Sequence, residues 1–214
     1  MRIVCIADTH GFHESLRLPP GDVLVHAGDL TAGSTVRDLR EFFAWLTGLN
    51  FARKVIIAGN HDRLFETDPE TAKSFVPKGV DYLQDSGVII DGVRIWGSPV
   101  QPAFLDWAFN RSRGPEIAAH WAMIPDGTDV VVTHGPAAGI LDATPSGQHC
   151  GCADLRARLM VVRPKAHICG HIHFGHGIAS LGRTQMVNAS ICDEGYRPSQ
   201  APIVIDLPSL KKSS

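Results

Sequence analysis

Five short apolar runs in this chain each end next to a residue that can bind a metal ion. The runs occupy residues 3–7, 23–27, 55–58, 130–133 and 166–169. They are rich in β-branched residues and are followed by turn residues, a pattern typical of buried strands. Strands that are apolar on both faces need cover on both sides, so the chain must fold in layers.

Helical patterns lie between these strands. Apolar residues at helical spacing predict helices over 35–49 (with Thr35 as the cap), 68–75, 115–123 and 153–162. Asp91-Gly92 predicts the turn of a hairpin, and further strands are predicted over 178–188 and 203–207. Strands that alternate with helices and then give way to hairpins favour an α/β fold with mixed sheets. With no repeat or linker, we expect a single domain over 1–208 and a short polar tail over 209–214.

The overall charge and the cysteines narrow the class of protein. There are 20 basic and 22 acidic residues, for a formal net charge of −2, so strong nucleic-acid binding is not expected. Asp8 stops the N-terminal apolar run after five residues, too short for a signal or a membrane span, which predicts a cytoplasmic protein. The five cysteines are scattered and are interpreted as reduced thiols; Cys150 and Cys152 lack the second pair that a zinc site needs.

The residues after the strands form an inventory of metal ligands. They are Asp8, His10, Asp29, Asn60, His134, His171 and His173. If the strands run parallel, their carboxyl ends meet at one edge, where ligands bind in open α/β sheets. Nitrogen and oxygen donors without a thiolate suit zinc, manganese, iron or cobalt. Seven donors are too many for one ion and predict two ions that share a carboxylate.

The motifs that hold these ligands resemble a known family. The sequence contains DxH at Asp8, GD at Gly28, GNHD over 59–62, His134 before a glycine, and GHxH at Gly170, in this order. Five such motifs in order resemble the calcineurin-like metallophosphoesterases, and the stretches between them resemble the branch of metallophosphoesterase-domain-containing proteins. The resemblance implies an α/β sandwich of two mixed β-sheets flanked by helices.

The resemblance also implies a role for each site residue. It assigns Asp8, His10 and His173 to a first metal, Asn60, His134 and His171 to a second, and Asp29 to both. Asn60 and His61 would contact the substrate, His61 would act on the leaving group, and Asp62 would orient His61. A hydroxide held between the two ions would attack phosphorus. Manganese, iron, zinc or cobalt would serve, with manganese the first choice for an assay.

The remaining histidines and one loop carry weaker signals. His26 lies within a strand and is interpreted as structural, and His13, His120, His149, His167 and His176 match no ligand position. The loop 107–113 combines Trp107 with Arg113, which would bind a nucleobase and a phosphate. The alternative is a packed tryptophan beside solvated arginines.

The leading hypothesis for function is a phosphodiesterase that acts on cyclic nucleotides or other small phosphodiesters. A phosphomonoesterase or a protein phosphatase could use the same site. A binding scaffold of the same fold is a hypothesis of another class, and the complete ligand set argues against it. The expected partner is a small phosphodiester or nucleotide, with no membrane; a homodimer is left open.

Overall fold

This computed structural model describes residues 1–207, which contain thirteen strands and five α-helices. The strands are β1 (Arg2–Ile6), β2 (Val23–Ala27), β3 (Arg53–Ile57), β4 (Val80–Tyr82), β5 (Ser86–Ile90), β6 (Val93–Ser98), β7 (Gln101–Pro102), β8 (Asn110–Arg111), β9 (Val130–Thr133), β10 (Ala166–Cys169), β11 (Gly177–Leu181), β12 (Thr184–Asn188) and β13 (Ile203–Asp206). The helices are α1 (Val36–Gly48), α2 (Leu64–Thr67), α3 (Pro69–Ser74), α4 (Pro115–Ala122) and α5 (Ala153–Val162). The predicted tail, 209–214, lies outside the described residues.

The strands form two large mixed sheets. In the first, the order is β13-β1-β2-β3-β4, with β1 to β4 parallel and β13 antiparallel to β1. In the second, the order is β11-β12-β10-β9-β6-β5, with a parallel centre and an antiparallel strand at each edge. The predicted α/β fold with two mixed sheets is confirmed.

Alternating side chains explain why the two sheets pack face to face. In β1, Ile3 and Cys5 point into the layer between the sheets, where they meet residues of the second sheet such as Val132. Val4 and Ile6, on the opposite face, pack under α1. The period of two in a strand thus supplies one apolar face to the sandwich and one to a helical layer. Helices α4 and α5 cover the outer face of the second sheet in the same way.

Helix α1 begins where the sequence predicts. Thr35 accepts a hydrogen bond from the Asp38 amide, and the Asp38 carboxylate accepts one from the Thr35 amide, which closes a capping box. Leu39 and Phe42 are fully buried against the first sheet. Val36, predicted on the same apolar stripe, is instead 36% exposed in the first turn of the helix.

The shorter elements show where the sequence signal ends. The predicted hairpin turns at Asp91-Gly92, and both residues have positive φ, as a tight hairpin turn requires. The strands β4, β7 and β8 were not predicted; they are two or three residues long, too short for a periodic pattern. No helix within residues 1–207 is long and apolar enough to cross a bilayer.

Buried histidines give the fold a pH dependence. His167 is buried in β10, with Nε2 2.8 Å from Thr133 Oγ1, and burial lowers its pKa to about 3. A histidine in the unfolded chain takes up a proton near pH 6.5. Between about pH 6.5 and pH 3 the unfolded state therefore holds the extra proton, and stability falls as the pH is lowered.

Replacing His167 by glutamine is expected to reduce the loss of unfolding free energy between pH 7 and pH 5 by about 2 kcal/mol, because glutamine does not titrate. Denaturant titration of the chelator-treated, metal-free protein at both pH values measures this difference. Identical pH dependence in the His167 variant and the wild type would contradict the account.

Candidate metal centre

The predicted ligands meet where the carboxyl ends of both sheets converge. The loops after β1, β2 and β3 bring Asp8, His10, Asp29 and Asn60 from the first sheet, and those after β9 and β10 bring His134, His171 and His173 from the second. The ligand loops are joined by backbone hydrogen bonds: the amide of Asp8 donates to Gly28 O and that of His10 to Asp29 O. The sequence predicted a single edge; the site instead lies across two sheets.

The backbone at these positions is strained. Asp8, His10, Asp29 and His171 all have φ between 43° and 69°, a region that residues other than glycine rarely adopt. Each such residue costs on the order of 1 kcal/mol, which the surrounding packing must offset. The glycines of the motifs allow close approach: a Cβ on Gly59 would lie 2.3 Å from the Asp29 amide nitrogen. This is why the motifs combine glycine with ligand residues.

Two groups of donor atoms form around Asp29. In the first, His10 Nε2 lies 3.2 Å from His173 Nε2 and 3.7 Å from Asp29 Oδ2, and His173 Nε2 lies 3.8 Å from Asp8 Oδ1. The second group places His134 Nε2 2.7 Å from Asn60 Oδ1 and 3.5 Å from Asp29 Oδ2. Asp29 thus faces both groups, as a bridging ligand would.

These donors fit a metal ion. Donor atoms that bind one ion at about 2.0–2.1 Å lie roughly 3–3.5 Å from one another, close to the spacing seen here. Asp8 Oδ1 is buried and has no hydrogen-bond partner within residues 1–207, which is the state of a carboxylate oxygen reserved for a cation. The compact groups of possible ligands are Asp8–His10–His173, His10–Asp29–His61 and Asp8–Asp29–His134. His61, which the resemblance assigned to the substrate and not to a metal, belongs to one of them.

His171 is less tightly placed than the other predicted ligands. Its ring centroid lies 4.9 Å from that of His134, beside the second group, and it lines the cleft above. None of the compact ligand groups found within residues 1–207 includes it. Burial, with the neighbouring His134, lowers the pKa of His171 to about 4, so its ring stays neutral and able to bind metal.

The charges at the site favour a cation. Burial opposes ionisation of Asp29, but His134 and His10 hold its pKa well below the usual range. Burial likewise disfavours the charged form of His134, yet the Asp29 carboxylate raises its pKa to about 9, so this ring must release a proton when it binds a metal ion. Asp29 is therefore ionised across the physiological pH range, as a shared metal ligand must be.

Asp62 does not have the predicted contact with His61. Its Oδ1 accepts hydrogen bonds from the Thr31 amide and hydroxyl, and its Oδ2 from the amides of Leu30 and Gly59, at 2.8–3.0 Å. Within the described residues it makes no hydrogen bond to His61, so the prediction that it orients that ring is wrong. The fully buried Asp62 instead joins the loops after β2 and β3, the loops that carry Asp29 and Asn60.

A backbone hydrogen bond and contacts with two neighbouring rings position His61. Its amide donates to Asp29 Oδ1 at 2.8 Å, and its ring packs between His10 and Trp107, with centroid distances of 4.7 and 4.2 Å. One edge of the ring therefore faces the ligand groups. No pattern in the sequence indicated that Trp107 and His61 would touch, because they lie on separate loops.

A cleft of about 480 Å³ opens above the ligands. Its lining includes Phe104, Trp107, Tyr196 and Arg113. The Arg113 guanidinium donates to the carbonyl oxygens of Cys150 and Gly151 at 2.8 and 2.7 Å, so it fastens one wall of the cleft to the loop 107–113. The predicted phosphate contact of Arg113 therefore competes with two bonds that it already makes.

Tyr196 is a cleft residue that the sequence did not reveal. Its ring contacts the rings of His10 and His173, with centroids 4.8 and 5.3 Å apart, and its φ is 56°. Asp193 fixes this loop by accepting bonds from Gly195 and Arg197. No periodic pattern or motif marks such a loop; a bulky residue beside turn-forming Gly195 is the one local sign.

Comparison with known proteins points to one family. The family model for calcineurin-like phosphoesterases matches residues 1–175. Metallophosphoesterase domain-containing protein 1 of Homo sapiens is 39% identical over 99% of this chain and 72% of its own length. UPF0046 protein K07C11.7 of Caenorhabditis elegans is 36% identical over 97% of this chain and 76% of its own length.

Solved structures agree on the fold. The crystal structure of TT1561 of Thermus thermophilus is similar with a TM-score of 0.57 and 13% identity, over 87% of this chain and 88% of that one. At such low identity the likeness concerns the fold alone. Together with the family model and the relatives, it leads to one conclusion: this chain belongs to the calcineurin-like phosphoesterase family.

Proposed function

We propose that this protein is a two-metal phosphodiesterase that hydrolyses small phosphodiesters, cyclic nucleotides among them. The observation that carries the proposal is the pair of donor groups that share Asp29 at the floor of the cleft, with His61 beside them. Manganese is the metal that we propose for assays. A cytoplasmic setting is part of the same proposal, supported by the five free cysteines.

The ligands and His61 divide the chemistry between them. Two ions bound at these donors would supply Lewis acidity and a nucleophilic water near neutral pH. By holding these ions, Asp29 and the histidines would set the position of the phosphoryl group relative to His61. The His61 ring, at the edge of the donor groups, donates a proton to the departing oxygen, a role worth about 10²–10⁴ in rate.

The walls of the cleft support a diester with a flat, apolar arm. Phe104, Trp107 and Tyr196 line it, and aromatic faces bind planar groups such as a nucleobase. Among the described lining residues there is no lysine, and the one arginine already bonds two carbonyl oxygens. A monoester dianion would therefore find little positive charge beyond the metal centre, which makes a phosphomonoesterase or a protein phosphatase the second candidate.

The proposal predicts manganese-dependent hydrolysis of bis(p-nitrophenyl) phosphate and of 2′,3′- or 3′,5′-cyclic nucleotides, with kcat/KM above that for open monoesters. The measurement is a comparison of diesters, monoesters and phosphopeptides on one metal-loaded preparation. A higher kcat/KM for a monoester or a phosphopeptide would contradict the diester preference and leave the site assignment standing. No turnover of any phosphoester by a protein with two bound ions would favour the binding scaffold.

A further inference from the structure

The segment that follows β12 contacts the metal site without supplying a ligand. Ser190 is fully buried, and its Oγ lies 2.6 Å from Asp8 Oδ2. The amide of His171 donates to the same carboxylate oxygen at 2.8 Å. Asp8 Oδ2 is thus bonded by two donors, whereas Oδ1 has none within residues 1–207 and faces His173.

Asn188 fixes the serine hydroxyl. Its Oδ1 accepts from the Ser190 amide at 3.2 Å and lies 2.8 Å from Ser190 Oγ, so the single hydroxyl proton is shared between Asn188 and Asp8. The negative charge of Asp8 draws that proton toward the shorter, 2.6 Å contact. Within the described residues the hydroxyl has no acceptor besides Asp8 and Asn188. If it turns away from Asp8, the carboxylate loses the hydrogen bond from Ser190.

The amide group of Asn188 extends this network to the neighbouring loops. Its Nδ2 donates to Ile172 O at 2.8 Å and to Leu141 O at 3.2 Å. Ile172 stands between His171 and His173, so the same side chain restrains the loop that carries these two histidines. The carbonyl neighbours also settle which end of the Asn188 amide is the nitrogen.

We propose that Ser190 and Asn188 are positioning residues of the first metal site. Two hydrogen bonds occupy Asp8 Oδ2, and the carboxylate is left with one free oxygen, Oδ1, directed at His10 and His173. Asp8 is then held as a ligand through a single oxygen and cannot rotate to chelate the ion through both. Partners of this kind commonly change metal affinity by 10- to 100-fold.

Metal titration tests the proposal without substrate, so its outcome is independent of the proposed function. Chelator-treated wild type and Ser190→Ala are titrated with Mn²⁺ by calorimetry. We expect the affinity of one site to fall by about 10- to 100-fold, while the other keeps the wild-type value. Wild-type affinity at both sites in Ser190→Ala would overturn the proposal.

A matched control separates positioning from general packing. Ser98 is also fully buried, and its Oγ donates at 2.6 Å to the carboxylate of Asp85, which belongs to none of the ligand groups. Ser98→Ala therefore removes an equivalent bond and should keep both affinities. Equal loss of metal affinity in the two variants would reduce Ser190 to a structural role and overturn the proposal.

Two further variants cover the case in which Ser190→Ala does not fold. Ser190→Cys replaces the hydroxyl by a somewhat larger thiol, which is a weaker donor, and an intermediate loss at one site is expected. Asn188→Ala also frees the loop around Ile172, so we expect weaker binding at both sites. An Asn188→Ala protein with two wild-type sites would contradict the role of Asn188.

Discussion

Replacing His61 by alanine is expected to lower kcat for an unactivated phosphodiester by roughly 10²- to 10⁴-fold while two metal ions remain bound. The reason is geometric: the ring packs between His10 and Trp107 and faces the donor groups, where a leaving oxygen would need a proton. Steady-state kinetics and elemental analysis on the same preparation measure both quantities. His120, paired with Asp85 outside the cleft, supplies a control, and His120→Ala should keep kcat.

Substrates with different leaving groups distinguish His61 as a general acid from His61 as a metal ligand. If His61 protonates the departing oxygen, the loss in kcat should shrink for nitrophenyl esters, whose leaving groups need little help. His61 also belongs to a compact group with His10 and Asp29, which offers the alternative of direct metal binding. Equal losses for poor and activated esters, together with a missing ion, would show that alternative to be correct.

Replacing Asp29 by asparagine is expected to weaken both metal sites at once, whereas Asn60→Ala should mainly empty the second. Asp29 Oδ2 lies 3.7 Å from His10 Nε2 and 3.5 Å from His134 Nε2, so one neutral amide would remove a shared charge from both groups. Asn60 Oδ1 contacts His134 alone among the histidine ligands. Removing a shared carboxylate should therefore lower metal affinity more than removing a neutral donor does.

Manganese content per chain after reconstitution measures the Asp29 effect. The wild type should hold two ions, Asp29→Asn close to none under the same dialysis, and Asn60→Ala close to one. Asp22→Asn is a matched control, since Asp22 bonds the Arg2 amide at the far end of β1. A wild type that saturates at one ion, or an Asp29 variant that retains two, would refute the bridging assignment.

The strands, and the ligand residues that follow them, could be predicted because the pattern that marks them lies in a short stretch of sequence. An apolar run such as that of β9 ends in a polar residue wherever the chain leaves the core, and parallel strands then bring these ends together. Buried β10 and helix α5 have the predicted bounds for the same reason. That the ends belong to two sheets follows from the family resemblance and not from the residue pattern, because pairing between β1 and β13 or β6 and β9 joins distant parts of the chain.

The contacts within the site were harder to predict than its ligands. The family resemblance assigned Asp62 to orient His61, yet strand β3 ends in a turn that directs the carboxylate toward Thr31. Tyr196 and Ser190 come from a region without periodicity; Tyr196 meets the ring of His10, and Ser190 the carboxylate of Asp8, across more than 180 residues each. Such contacts depend on tertiary packing, which composition and spacing do not encode.

The metal ligands at the base of the cleft and the walls of the cleft come from different segments of the chain. The ligands sit directly at the ends of core strands, whereas the walls come from loops around 102–113, 144–150 and 193–196. A mutation, insertion or exchange in a wall loop can therefore reshape the cleft and leave the ligand geometry intact. Evolution can then change the substrate preference while the reaction chemistry is inherited unaltered, so relatives that share all five motifs need not share a substrate.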